Sequence, residues 1–547
     1  MTRIALVLGG GASLGSYIGG AVTEIIRAVE GNRRKDPVVI DVIAGASAGA
    51  LNAALAARCL SVNRNLLPWI EKAWVDAADA SVLLDPARPQ RDGWLDVSVL
   101  DELARGLVDS AAAADDLPSA AGGESIRLGF TLANLYGVSY DRRYGFLNEP
   151  DRSFGTRVHT DDVRFQLTKE SRAGSPVWGE IAEAAVASAS FPFAFPPRRL
   201  GRSKSDFPGA RLRAGPDGKV DMWYLDGGLF DNAPLGLARD LVEMGGHHRG
   251  EDRRYLFVEP ALESAGPGHQ GFDGPPSTLG GMASALAKAV LGQGAARDWQ
   301  TANRINSRLE ILRALVERLP DLAPDLADPG ALALGRYIGE LAEHVAEVQV
   351  AKNRAIAAGS DDPAGDHLDA AVERIEDDPA YAAALSRAES RAARARLAKL
   401  VFVLEAAAGL QDKDVLPLYL VAPADGQALA GDFLGHFGGF FHRDWRANDF
   451  RAGRRDARRV IEETLQDVIS YDAGDKADYR VDKIDPGFDS IPAAGKARLR
   501  ALADAEADRI LSELKPGAVA AAFGWAWKPV VRRWAADRAL AALRGAR

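Results

Sequence analysis

The sequence predicts an α/β fold with a parallel-rich, buried sheet flanked by helices. Short continuous apolar runs alternate with helical patterns, and the tightest glycine turns fall where those runs end. The runs are Ile4–Leu8, Val38–Ala44, Ile126–Leu132 and Tyr255–Val258. Each has the length and unbroken hydrophobicity of a strand covered on both faces. Helical spacing at Gly20–Glu30, Ala50–Cys59 and Leu235–Met244 supplies the covering layers.

The remainder of the chain changes texture. About 81–123 reads as an acidic helical insertion in the first domain, taken as 1–260. After a Gly/Pro linker, 261–412 is a helical module rich in Ala, Leu, Arg and Glu, interrupted by "LPDLAPDLADPG" and "GSDDPAGD". The run Val415–Pro423 reads as a last strand rejoining the first sheet, so 413–470 is assigned to the catalytic domain and 471–547 to a helical, basic extension.

Composition bounds the function. With 547 residues, 47% hydrophobic and 26% charged, the chain has enough mass for a large core in two or three domains. A net charge of −9 argues against nucleic acid as a partner. Cys59 has no Cys or His at metal-site spacing and no disulfide partner, which points to a reducing, cytoplasmic compartment. The apolar start is too short for a signal peptide, and no run reaches the roughly 20 apolar residues of a membrane span.

Three stretches carry chemistry. In "GASAG" (Gly45–Gly49), Ser47 sits at a strand-to-helix corner flanked by small residues, the pattern of a nucleophile elbow. There the first N–H groups of the following helix favour developing negative charge. Taken alone, the pentapeptide also fits a packing turn. "GGGASLGSYIGG" (Gly9–Gly20) ends the first strand and can converge backbone N–H groups on an oxygen. A P-loop would need Lys where Ser16 stands, and a dinucleotide fingerprint would need Gly where Leu14 stands, which leaves an oxyanion hole or a plain turn. "WYLDGGLFDNAPLG" puts Asp226 at the end of an apolar run, as a turn residue or as a carboxylate aimed at the crevice of Ser47. Trp223, Tyr224 and Leu225 are the neighbours expected to desolvate it. None of the eight histidines stands at a strand end.

Together with "ASASFPFAFPP" (Ala187–Pro197), these motifs in this order resemble the patatin-like phospholipases over roughly residues 3–260. The stretch Gly435–Ala457 is similar to a C-terminal element of larger bacterial patatin-related proteins. The resemblance implies a catalytic dyad of Ser47 as nucleophile and Asp226 as base, with Gly9, Gly10 and Gly11 as the oxyanion hole and no histidine. It further implies a lipid acyl hydrolase that cleaves fatty-acyl esters of phospholipids or other lipids through an acyl-enzyme. The glycine loop departs from the family pattern GGG-x-Arg/Lys-G: it has no basic residue and one extra position. Two alternatives remain, a Ser/Asp/His esterase and a catalytically inactive patatin-fold interaction protein. No cofactor or metal is implied.

The proline- and phenylalanine-rich stretch supplies a rigid apolar wall, suited to an acyl chain or to packing. Lys515–Arg547 is basic, and Trp527, Val530, Val531 and Trp534 share one helical face. That helix is a peripheral membrane contact for a lipid enzyme, or a stripe docked on its own core.

Overall fold

The computed structural model describes residues 1–504 apart from 84–99, 103–105, 107–117, 145–151, 172–173, 193, 246–251, 262–303, 319–328, 357–363, 389, 411–415, 425–427, 471–478 and 502–503. The basic C-terminal stretch, most of the expected acidic insertion, the Gly/Pro linker, and His247, His248 and His269 therefore lie outside the described residues.

Eight strands form one mixed sheet: β1 (Thr2–Leu8), β2 (Val38–Gly45), β3 (Gly122–Tyr144), β4 (Arg152–Leu167), β5 (Arg198–Ser203), β6 (Lys219–Asp226), β7 (Arg253–Val258) and β8 (Leu418–Val421). The order is β5-β6-β3-β2-β1-β7-β8, with β4 paired to β3 off that path. From β3 to β8 every pairing is parallel. β4, β5 and β6 add an antiparallel flank on one side, so the parallel sheet expected from the apolar runs is the other side of a larger mixed one, running to the edge at β8. The runs that announced themselves are the parallel strands, because only those are buried on both faces and carry no polar alternation. β4 is mostly polar, and the short apolar run Met222–Leu225 of β6 is exposed and buried in turn rather than covered on both faces.

Helices α1 (Gly15–Glu30), α2 (Ala48–Ser61) and α3 (Val177–Ser188) lie with the main core, whereas α4 (Leu235–Glu243) covers Ala5, Val7, Val42 and Ala44 on the opposite face. α1 starts at Gly15, a turn earlier than its apolar spacing predicts. A second core joins a helix over 304–318 to α5 (Pro329–Ile356), α6 (Ala364–Asp377), α7 (Pro379–Leu385) and α8 (Arg391–Ala408). Asn306 ties that module to the approach of β8 by exchanging side-chain bonds of 2.8 and 2.9 Å with the Leu416 backbone.

α9 (Arg443–Thr464) runs across α1 at glycine-to-backbone distance. A Cβ on Gly20 would overlap the Phe450 carbonyl oxygen, and one on Gly453 would overlap that of Tyr17. Glu24 of α1, almost wholly buried, takes two hydrogen bonds from Arg454 of α9 at 2.9 and 3.0 Å. Among the described residues no helix is long and apolar enough to cross a membrane.

Candidate active site

β2 ends at Gly45, and the chain turns within two residues into α2. Ala46 donates to the Leu8 carbonyl at 3.0 Å, which hooks the turn onto the end of β1. Both flanking glycines are required by close approach. A Cβ on Gly49 would overlap the Leu8 carbonyl oxygen, and one on Gly45 would lie 2.6 Å from the Gly49 oxygen. Ser47 itself holds φ 52° and ψ −125°, a left-handed conformation that costs a non-glycine residue about 1–3 kcal/mol and is kept only where the surroundings enforce it.

The enforcement is visible in the partners of Ser47. Its N–H donates to the Ser188 hydroxyl at 3.0 Å, and its carbonyl accepts from Ala50 at 2.9 Å. Its own hydroxyl donates to Asp226 Oδ2 at 2.6 Å. Asp226 closes β6, and its Oδ1 accepts from the Gly228 N–H at 2.8 Å while its backbone N–H donates to the Ser190 carbonyl at 2.9 Å. The two residues, 179 positions apart, thus meet directly, with no imidazole between them. Ser188 and Ser190 lie in the stretch read from sequence as an apolar wall; their polar groups fix the backbones of both Ser47 and Asp226. The alternating Ser-Ala-Ser was the only signal for that role.

Asp226 is 1% exposed, and burial lifts its carboxyl to about 7 against the lowering effect of its bonds to Ser47 and Gly228. The expected source of that desolvation is corrected in part. Tyr224 is buried, but Trp223 is 44% exposed, because alternation along β6 sends Met222, Tyr224 and Asp226 to one side and Trp223 to the other.

The glycine loop is also corrected. Gly9 donates its N–H to the Val258 carbonyl at 3.0 Å and Gly10 to that of Asn232 at 3.3 Å, so neither is a free donor. Gly10 is instead a close-approach position, where a Cβ would overlap Asn232 Oδ1 and lie 3.0 Å from Ser47 Cβ. No intramolecular partner is present among the described residues for the N–H of Gly11, or for that of Ala48 at the start of α2. Ala48 opens the helix whose first N–H groups the sequence places beside Ser47, and the residue after an elbow nucleophile is a regular oxyanion donor.

Ser47 and Asp226 open on an apolar cleft. Its walls include Leu51, Trp74, Phe191, Phe195, Phe437 and Phe440, and among the described residues no charged side chain other than Asp226 lines it. Phe437 and Phe440 belong to the late stretch that sequence reading set apart, and they reach the same cleft as Phe191. Among the described residues no group of His, Cys, Asp and Glu could hold a metal ion. Cys59 is buried in α2 with its thiol pushed up to about 12, far from a reactive thiolate.

Residues 6–239 match the family model of the patatin-like phospholipases, a lipid-hydrolase family, and residues 382–515 match that of a protein family of unknown function, DUF3376. Residues 6–239 are thus identified as a patatin-like phospholipase domain. It is 30% identical over 308 residues to the uncharacterized membrane protein Rv3479 of Mycobacterium tuberculosis, a match that takes in 53% of this chain and 28% of that protein. The chain thus spans little more than a quarter of that relative's length. Among solved structures, the heterodimeric complex ExoU-SpcU from the type III secretion system of Pseudomonas aeruginosa is similar at 16% identity, over 75% of this chain and 74% of that one. The TM-score of 0.18 is too low for anything to be carried across.

Proposed function

We propose that the protein is a serine acyl hydrolase that cleaves fatty-acyl esters of phospholipids or other lipids through a Ser47/Asp226 dyad. The observation that carries this reading is the direct 2.6 Å bond from the Ser47 hydroxyl to the buried Asp226 carboxylate, at the mouth of an apolar cleft. An ordinary aspartate is a poor base toward a hydroxyl. Burial that raises Asp226 to about 7 narrows the mismatch by roughly three units, or about 4 kcal/mol of proton affinity.

In the first step Ser47 Oγ attacks the ester carbonyl carbon and its proton passes to Asp226 Oδ2. The charge formed on the carbonyl oxygen is received by the N–H groups of Gly11 and Ala48, and each well-placed donor of this kind is worth about 3–4 kcal/mol in the transition state. The C–O bond to the alcohol breaks, and the alcohol leaves with the proton from Asp226. Water then attacks the acyl-enzyme, giving a proton to Asp226, and the fatty acid departs as Ser47 Oγ recovers that proton. The apolar walls take the acyl chain and exclude bulk water from the dyad. The dyad is favoured over a Ser/Asp/His triad by the direct bond from Ser47 to Asp226.

The test is covalent. A fluorophosphonate should label the wild-type chain at Ser47 and leave Ser47→Ala unlabelled, with ester turnover lost in the variant. Equal labelling or turnover in the two proteins overturns the assignment, and a wild-type chain inert to both favours an interaction protein that has kept the fold.

A further inference from the structure

The segment 430–441 lies in the region matched to the family of unknown function, more than 190 residues after the patatin-like domain ends. It passes directly over the glycine loop. Ser13, fully buried, donates its hydroxyl to the His436 carbonyl at 2.7 Å and accepts the Gly439 N–H at 3.1 Å. The fit leaves no slack. A Cβ on Gly439 would lie 2.8 Å from Ser13 Oγ, and one on Gly431 would lie 2.7 Å from a Leu14 methyl. A long basic side chain at Ser13 would occupy the space this segment takes, so the loop's departure from the family pattern and the presence of the strap belong together.

Two buried charges fix the strap from α9. Asp449 accepts the N–H groups of Ala430 and Gly431 at 2.9 and 2.8 Å. Arg446, 1% exposed, donates to the carbonyls of Gly439 and Phe440 at 2.9 and 3.0 Å, and also to Val75 and Asp79. Between these anchors Leu434, Gly435 and His436 all take positive φ, at 57°, 63° and 73°. Two of the three are not glycine and bear a cost of about 1–2 kcal/mol each. The corner turns the chain so that Phe437 meets Phe191 edge-on at 5.5 Å and Phe440 at 5.9 Å, with both strap rings on the cleft.

We propose that this strap is the specificity wall of the lipid site, Phe437 and Phe440 setting the length and bulk of the acyl chain that the cleft accepts. The region of unknown function thereby acquires a role in the binding pocket, to which it contributes two aromatic rings. The proposal rests on the reading of the cleft as an acyl site, but it concerns binding and is separable from the dyad chemistry. Anchored through buried hydrogen bonds to the glycine loop and α9, the rings form a fixed boundary, and removing one opens the pocket at that point.

Binding of saturated fatty acids from octanoate to stearate, read by displacement of a fluorescent fatty acid from the full chain, tests it without requiring turnover. Wild type should bind with a chain-length optimum. Phe437→Ala and Phe440→Ala should move that optimum to longer acids and weaken the shorter ones by about tenfold, the scale on which apolar pockets discriminate chain length. Phe437→Leu, which keeps apolar fill and guards against misfolding, should move it the same way by less, with an unchanged circular dichroism spectrum. An unchanged ranking in all three variants, or no fatty-acid binding by wild type, overturns the proposal. If the optimum moves while wild type hydrolyses no ester, the strap stands and the hydrolase reading fails. If wild type hydrolyses esters with a chain-length profile that the variants leave untouched, the hydrolase stands and the strap fails.

Discussion

Asp226 makes the sharpest demand on the catalytic reading. With its carboxyl raised to about 7 by burial, it is the base only when ionised, about a tenth of the time at pH 6 and about nine-tenths at pH 8. The kcat/KM for a soluble short-chain ester should therefore climb about tenfold per unit below pH 7 and level off above it. Asp226→Asn keeps the shape of the side chain and an acceptor for the Gly228 N–H, but has no carboxylate to take the serine proton. Positioned proton transfer is worth about 10²–10⁴-fold, so kcat should fall by that factor and the inflection near pH 7 should vanish. The assay is a pH–rate profile from pH 5 to 9 on both proteins, with tryptophan fluorescence confirming that each remains folded. A flat wild-type profile, or an Asn variant that retains the inflection, refutes the reasoning.

Other substitutions probe the supports. Glu259 is buried, with Oε1 accepting from the Ala261 N–H and no partner for Oε2 among the described residues, and burial lifts it from 4.5 to about 7. The folded chain keeps this proton where the unfolded chain has lost it, so the stability present below about pH 4.5 is lost as pH rises through 7. Glu259→Gln should remove about 3 kcal/mol of the loss measured by urea unfolding between pH 4.5 and 8; equal slopes in the two proteins refute it. Gly49→Ala drives a methyl into the Leu8 carbonyl, a rigid neighbour, and should cost about 1–3 kcal/mol or more in the same assay. Ser188→Ala leaves the Ser47 N–H buried without its acceptor and should cost about 1–3 kcal/mol, with fluorophosphonate labelling slowed relative to wild type.

What the sequence made legible follows local chemistry. Ser47 announced itself because an elbow needs small residues on both sides, and Gly45 and Gly49 are both spoken for by contacts under 3 Å. Asp226 was legible as an acid closing an apolar run, and the parallel strands as runs without polar alternation. The rest depends on partners that no local pattern contains. That Gly9 and Gly10 spend their N–H groups on Val258 and Asn232 follows from strand ends meeting across more than 200 residues of chain. Trp223 looked like a desolvating neighbour because sequence adjacency was read as proximity, whereas a strand places adjacent residues on opposite faces. Phe437 and Phe440 sit in a glycine-rich stretch with no periodicity, and the buried anchors Ser13, Arg446 and Asp449 explain why it is held over the cleft.

The same long-range contacts decide whether the family-matched region stands alone. β8 pairs parallel with β7, so its removal leaves β7 as an open apolar edge, the geometry that templates aggregation. α9 covers α1 through Gly20 and Gly453, and without it Tyr17, Ala21 and the Glu24 carboxylate on that face meet water or lose their partners. Exposing the buried apolar face of α1 costs several kcal/mol at about 25 cal/mol per Å², a large share of the 5–15 kcal/mol that holds a domain together. A fragment of residues 1–260 should therefore fail to give a cooperative unfolding transition and should elute as aggregates on gel filtration, while the full chain does neither. A soluble, cooperatively folding fragment that labels at Ser47 as fast as the full chain would show that β8, α9 and the strap are ornaments on a self-sufficient domain.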